Sequence, residues 1–69
     1  MPPVPLPITS SALDAAFYDA ETQELFVTFT DGAEYVYSVD PVTVAAFVGA
    51  ASQGSFFNAY IRPRGGQSL

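Results

Sequence analysis

The chain has 69 residues, enough for one domain, and a domain this small buries only about 60% of the surface its unfolded chain exposes. Seven acidic residues stand against two arginines, for a net charge of -5, and lysine, histidine and cysteine are absent. These absences exclude disulfide staples, imidazole and thiolate metal sites, Ser-His triads, thiol nucleophiles and Schiff-base chemistry, and the acidic balance opposes binding to nucleic acid and to anionic membrane.

Residues 1–7 alternate proline with apolar residues, so they are expected as an extended arm, either polyproline II or an edge strand. The Pro2 to Pro5 spacing matches a Pro-x-x-Pro ligand, but no basic residue flanks it, and an arm lying on the domain is the reading taken. The segment lacks the basic residue and apolar core of a signal peptide. No stretch reaches the roughly 20 apolar residues of a membrane span. A cytoplasmic protein is expected.

Ser10 and Ser11 read as hydrogen-bonding groups of an N-terminal turn, with no base offered to make either a nucleophile. Ala15 to Tyr18 is a short strand candidate, and Asp19 to Gln23 is turn-like. Asp19, Glu21 and Glu24 do not have EF-hand spacing and read as a solvated turn. Glu24 to Phe29, with Leu25-x-Val27-x-Phe29 alternating and β-branched and aromatic residues throughout, predicts a strand. Asp31-Gly32 marks a hairpin turn, and Ala33 to Ser38 is the returning strand.

Register decides which face is core. A two-residue loop would set Tyr35 and Tyr37 beside Thr28 and Phe26. A three-residue loop, Thr30 to Gly32 with Gly32 left-handed, pairs 29 with 33 and groups Leu25, Val27, Phe29, Tyr35 and Tyr37 on one apolar face. The second register is expected, and it leaves Phe26 on the outer face.

Asp40 and Pro41 have the chemistry of a helix N-cap and first position. The helix is predicted to run to about Ala51, with Val44, Phe47, Val48 and Ala51 as its buried stripe. Ser52 reads as a second N-cap, followed by Phe56, Phe57, Tyr60 and Ile61 on a short helix or turn. The expected architecture is α+β: a three-stranded antiparallel β-meander followed by two short α-helices packed on one face. Residues 8–62 form the domain, after a proline-rich arm at 1–7 and before a flexible tail at 63–69.

No catalytic residue, metal site or cofactor is expected, and the chain does not read as an enzyme. Tyr35 and Tyr37 are the sharpest binding candidates: an aromatic platform for a base or peptide, or core residues with hydroxyls at the rim, which the chosen register favours. Phe57 and Asn58 share that ambiguity, since Asn58 can cap backbone groups instead. Arg62 offers a cation to a phosphate or a carboxylate, and with seven acids in the chain an internal or partner salt bridge is expected. Phe26 is an outward aromatic available to a partner.

Ser10-Ser11, Tyr18-Asp19, Leu25-x-Val27-x-Phe29, Gly32, Tyr35-x-Tyr37, Ser52-x-Gly54, Phe56-Phe57-Asn58 and Ile61-Arg62 occur in this order between Ile8 and Arg62. In this pattern the chain resembles the KTSC domain. That small module occurs alone in bacterial and phage proteins and at the C-terminus of some lysyl-tRNA synthetases. The resemblance implies the same meander-and-helices fold and no established activity. It also brings the RNA binding often suspected of the family. Members commonly carry lysine before the glycine of Ser-x-Gly, where this chain has Gln53, and this departure weakens the RNA reading. Phe17 departs where a small residue is usual.

Three functions follow as expectations. The first is a non-enzymatic module binding a protein partner, with homo-oligomerisation a further route to stability. The second is RNA or single-strand binding through Tyr35, Tyr37 and Arg62, disfavoured by charge. The third is an acidic, phage-type inhibitor occupying the basic groove of a host protein.

Overall fold

The alternating segments form the expected meander in the computed structural model, which describes residues 2–69: β2 (Leu13–Asp19), β3 (Glu24–Phe29) and β4 (Glu34–Ser38). Two further strands, β1 (Val4–Pro5) and β5 (Gln67–Ser68), extend the sheet to five antiparallel strands in the order β1-β2-β3-β4-β5. The three-stranded expectation is thus corrected to five. Each added strand is two residues long, too short for alternation to signal. Pro5 sits on an edge strand, where its missing N–H removes no interior ladder bond. The N–H of Leu6 then donates to the carbonyl of Ala16 at 2.9 Å, holding the arm to β2.

The β3–β4 hairpin has the three-residue turn. Val27 lies opposite Tyr35 and Leu25 opposite Tyr37. The Phe29 N–H donates to the Ala33 carbonyl at 2.8 Å, and the Gly32 N–H donates back to the Phe29 carbonyl at 2.9 Å. Gly32 has φ +91°, a conformation that glycine takes without steric cost. This register turns Leu25, Val27 and Tyr37 into the core with Phe29 and Tyr35 packed at its margin.

Two short helices cover that inner face. In α1 (Pro41–Val48), Asp40 caps the N-terminus, accepting from the Thr43 N–H at 3.1 Å and from the Thr43 hydroxyl at 2.7 Å. Val44 and Phe47 are buried and Val48 is half-buried. The helix stops at Val48, so Ala51 lies beyond it and is exposed, contrary to its predicted place in the buried stripe. Gly49, a poor helix former, stands at the C-cap.

Ser52 caps α2 (Gln53–Phe56) by accepting from the Ser55 N–H at 3.3 Å. A π-helical turn (Phe57–Ile61) follows directly and buries both Phe57 and Ile61. The Phe57 ring is the aromatic hub: it meets Tyr37 edge-on at 5.2 Å, Phe29 edge-on at 5.6 Å and Phe47 at 6.2 Å. Such pairs stabilise beyond the area they bury. Residues of the expected tail form a 3₁₀ turn (Arg62–Arg64) and β5, and Gly66 lies so close to Tyr37 that a Cβ there would overlap its ring.

Candidate interaction surfaces

The turn between β3 and β4 and the helices opposite it enclose an open groove of about 540 Å³. Its walls include Phe29, Tyr35, Tyr37, Phe57, Asn58 and Arg62. The fold therefore brings together Tyr35, Tyr37, Phe57, Asn58 and Arg62, while Phe26 lies on the opposite face of the sheet.

The two tyrosines differ in depth. Tyr37 is buried and Tyr35 half-buried. With Phe57 edge-on at 5.2 Å and Gly66 against its ring, Tyr37 has no open face for stacking. Burial raises its hydroxyl pKa, and Arg62 opposes that rise through its charge and a side-chain hydrogen bond. Tyr35 packs edge-on against Phe29 at 5.7 Å. The Tyr35 and Tyr37 rings lie 6.4 Å apart and tilted by 31°, on the inner face that the register assigns them.

Of the internal or partner salt bridge expected for Arg62, the internal one is not formed among the described residues. Its Nη1 donates to the Asn58 Oδ1 at 3.1 Å, and its guanidinium carbon lies 5.6 Å from the centre of the Phe29 ring. Among the described residues no carboxylate pairs with it. The helical spacing sets Asn58 one turn before it, and β3 supplies the ring beneath it. The other arginine takes the ionic role: Arg64 lies 3.5 Å from Asp40 and donates through Nε to the Tyr60 carbonyl at 3.1 Å.

The outer face of the sheet is the second surface. Register aligns Pro5 with Phe17, Phe17 with Phe26, and Phe26 with Val36, a continuous apolar row across four strands. The helices occupy the other face, and Phe17 is 39% exposed. Carboxylates border the row: Asp19 stands directly opposite Glu24 on one side, and Glu34 lies opposite Thr28 on the other. None of the outward strand residues is basic. Like charges directly opposite one another on a sheet are destabilising.

Asp19 also organises its own turn, accepting from the N–H groups of Glu21 at 3.0 Å and Thr22 at 3.4 Å. Among the described residues no three His, Cys, Asp or Glu side chains are grouped to hold a metal ion. Nor is any helix of the described residues long and apolar enough to cross a membrane.

Sequence reasoning missed the role of Gln53, the buried polar side chain of the domain, 4% exposed. Its Oε1 accepts from the Thr9 N–H at 2.7 Å and from the Thr9 hydroxyl at 3.4 Å. Its Nε2 donates to the carbonyls of Pro7 at 3.0 Å and Val48 at 3.1 Å. One carboxamide thus ties the N-terminal arm to the end of α1. The available signal was its place four residues before the apolar Phe57, which puts both on one helix flank.

A family model for the KTSC domain matches residues 9–64. The chain belongs to the KTSC domain family. A protein of Tsukamurella paurometabola is 42% identical over 59 residues, covering 84% of this chain and 88% of that relative. A protein of Stutzerimonas stutzeri, described only as uncharacterized, is 41% identical over 58 residues, covering 83% and 82% of the two chains. The crystal structure of a KTSC domain protein from Yersinia pestis superposes with a TM-score of 0.89 at 24% identity over 99% of both chains. That likeness shows a shared fold: in this KTSC domain the meander, the two helices and both short edge strands form one unit.

Proposed function

We propose that this KTSC domain is a non-enzymatic cytoplasmic module that binds a protein partner, and that the partner docks on the outer face of the sheet through a basic surface with an apolar centre. The observation that carries this reading is the apolar row Pro5, Phe17, Phe26 and Val36, exposed at Pro5 and Phe17 and half-buried at Phe26 and Val36, on a sheet whose other face holds the core. Interface centres are depleted in charge and enriched in aromatic rings, with charged rims that steer encounter. The outer face has that layout, and the charged residues of its rim, Asp19, Glu24 and Glu34, are all acidic. A second copy of the chain is a poor occupant, because face-to-face pairing would bring Asp19, Glu24 and Glu34 against carboxylates. A basic partner would relieve the Asp19–Glu24 opposition instead.

The test is affinity capture from a bacterial lysate with three baits: the wild-type domain, the double variant Phe17→Ser/Phe26→Ser, and Arg62→Gln. The reading expects one basic protein held by the wild type and by Arg62→Gln, lost from the double variant, and released by salt. Retention of RNA that depends on Arg62, or equal capture by all three baits, would contradict it.

A further inference from the structure

We infer that the groove beside Arg62 is a second binding site, for a single carboxylate carried on an apolar group. This inference is independent of the outer-face reading, since the two surfaces lie on opposite sides of the sheet. Three features of the groove point to that ligand class.

The first is a surplus of donors. A guanidinium has five N–H donors; Arg62 spends one on Asn58 Oδ1 at 3.1 Å and shares another with the Tyr37 hydroxyl, which leaves donors to spare, and no carboxylate pairs with it among the described residues. Asn58 turns its carbonyl oxygen to that arginine, so its NH₂ has no hydrogen-bond partner among the described residues. A carboxylate is the group that a planar arginine fork receives with two parallel hydrogen bonds.

The second is a fixed cation above an apolar floor. Phe29 lies under the guanidinium, and Phe57 packs edge-on against Phe29 at 5.6 Å. Stacking and the bond to Asn58 restrain the long arginine side chain before any ligand arrives, which lowers the entropy lost on binding. Phe29, Tyr35 and Phe57 give the body of the ligand an aromatic wall.

The third is charge selection. Asp31 lines the same groove, with its Oδ1 accepting from the Ala33 N–H at 3.0 Å. Asp31 and the net charge of -5 repel a dianion about twice as strongly as a monoanion, so the arginine is better matched to a ligand with a single negative charge. A phosphate dianion or a run of phosphodiesters meets the aspartate as well as the net charge of -5. The carboxylate has two natural sources, the C-terminal residue of a peptide and a free apolar acid.

The test follows amide and side-chain signals of the labelled domain by NMR during titration with four probes: N-acetylphenylalanine, N-acetylphenylalanine amide, 3-phenylpropionate and inorganic phosphate. The inference expects shifts at Asn58, Arg62, Gly54 and Phe29 with both carboxylates and none with the amide. Stronger binding of N-acetylphenylalanine than of 3-phenylpropionate assigns a chain terminus, and equal binding assigns a free acid. Arg62→Gln and Asn58→Ala both change exposed side chains. Each should keep the folded spectrum, and the first should weaken carboxylate binding roughly tenfold or more. No shift with either carboxylate, equal binding of the amide, or tighter binding of phosphate would overturn the assignment.

Discussion

The carboxamide oxygen of Gln53 accepts a 2.7 Å hydrogen bond from the backbone N–H of Thr9, 44 positions earlier in the chain. Together with the bonds from its nitrogen to Pro7 and Val48, it satisfies backbone groups of the arm and of the end of α1. Gln53→Ala should lower stability by about 1–3 kcal/mol, seen as an earlier urea midpoint at an unchanged slope. Gln53→Lys can still donate to the two carbonyls but cannot accept from Thr9. Its midpoint should fall between the wild type and the alanine variant.

Gly66 holds the C-terminal strand against Tyr37. An added Cβ meets that buried ring, and neither the ring nor β5 can yield without losing contacts. Gly66→Ala should destabilise by about 1–3 kcal/mol, as overpacking does, and detach β5 from β4. Hydrogen exchange of the Leu69 amide, which donates to the Glu34 carbonyl at 2.9 Å, reads the detachment directly.

Stability should fall at both ends of the pH scale for separate reasons. Tyr18 is buried with its hydroxyl donating to the Val39 carbonyl at 2.7 Å. Burial first, then the charges of Asp40 and Asp19, raise its pKa above the ordinary 10.0. Tyr37 is raised as well, mainly by burial. Folding therefore favours the neutral phenols: their contribution is complete below the ordinary value and is lost as pH rises through the raised one. At the acid end, hydrogen bonds from Thr43 hold the Asp40 pKa below its ordinary 3.8. That contribution is present above 3.8 and lost as pH falls through the lowered value. Thermal melts across pH should show both limbs. Tyr18→Phe should shrink the alkaline one, and Asp40→Asn should shrink the acid one.

The acidic rim of the outer face should control self-association. Near neutrality the net charge of -5 keeps copies apart, so light scattering should report a monomer. Close to the isoelectric point of about 4.1 the net charge vanishes, and the apolar row should then pair between copies. Phe26→Ser should suppress that association. A wild-type dimer at neutral pH would instead make a second copy the occupant of this face.

Most of the meander was legible because β3 and β4 are rich in β-branched and aromatic residues and the three-residue turn at Gly32 keeps Leu25, Val27, Phe29, Tyr35 and Tyr37 on one face. Asp40, Pro41 and Ser52 announced both helix starts through capping chemistry. The edge strands were not legible: Val4–Pro5 and Gln67–Ser68 are too short for a pattern, and a backbone ladder is independent of side-chain type. Five groove residues could be singled out as candidates, but not their arrangement. The partner of Arg62 is set by the π-helical turn, a geometry with no sequence signature. Gln53 was hidden because a buried glutamine is recognised by its partners, and those partners are 5 to 46 positions away.

A photo-crosslinking residue placed at position 26, with position 42 as a control, tests the outer-face docking reading most directly. Val42 is 78% exposed on α1, away from the proposed surface, so it samples chance encounters. The docking account predicts one crosslinked basic protein from position 26, none from position 42, and loss of the adduct in high salt or with Glu24→Lys/Glu34→Lys. Equal adducts from both positions, an adduct from position 42 alone, or crosslinking only to nucleic acid would contradict it.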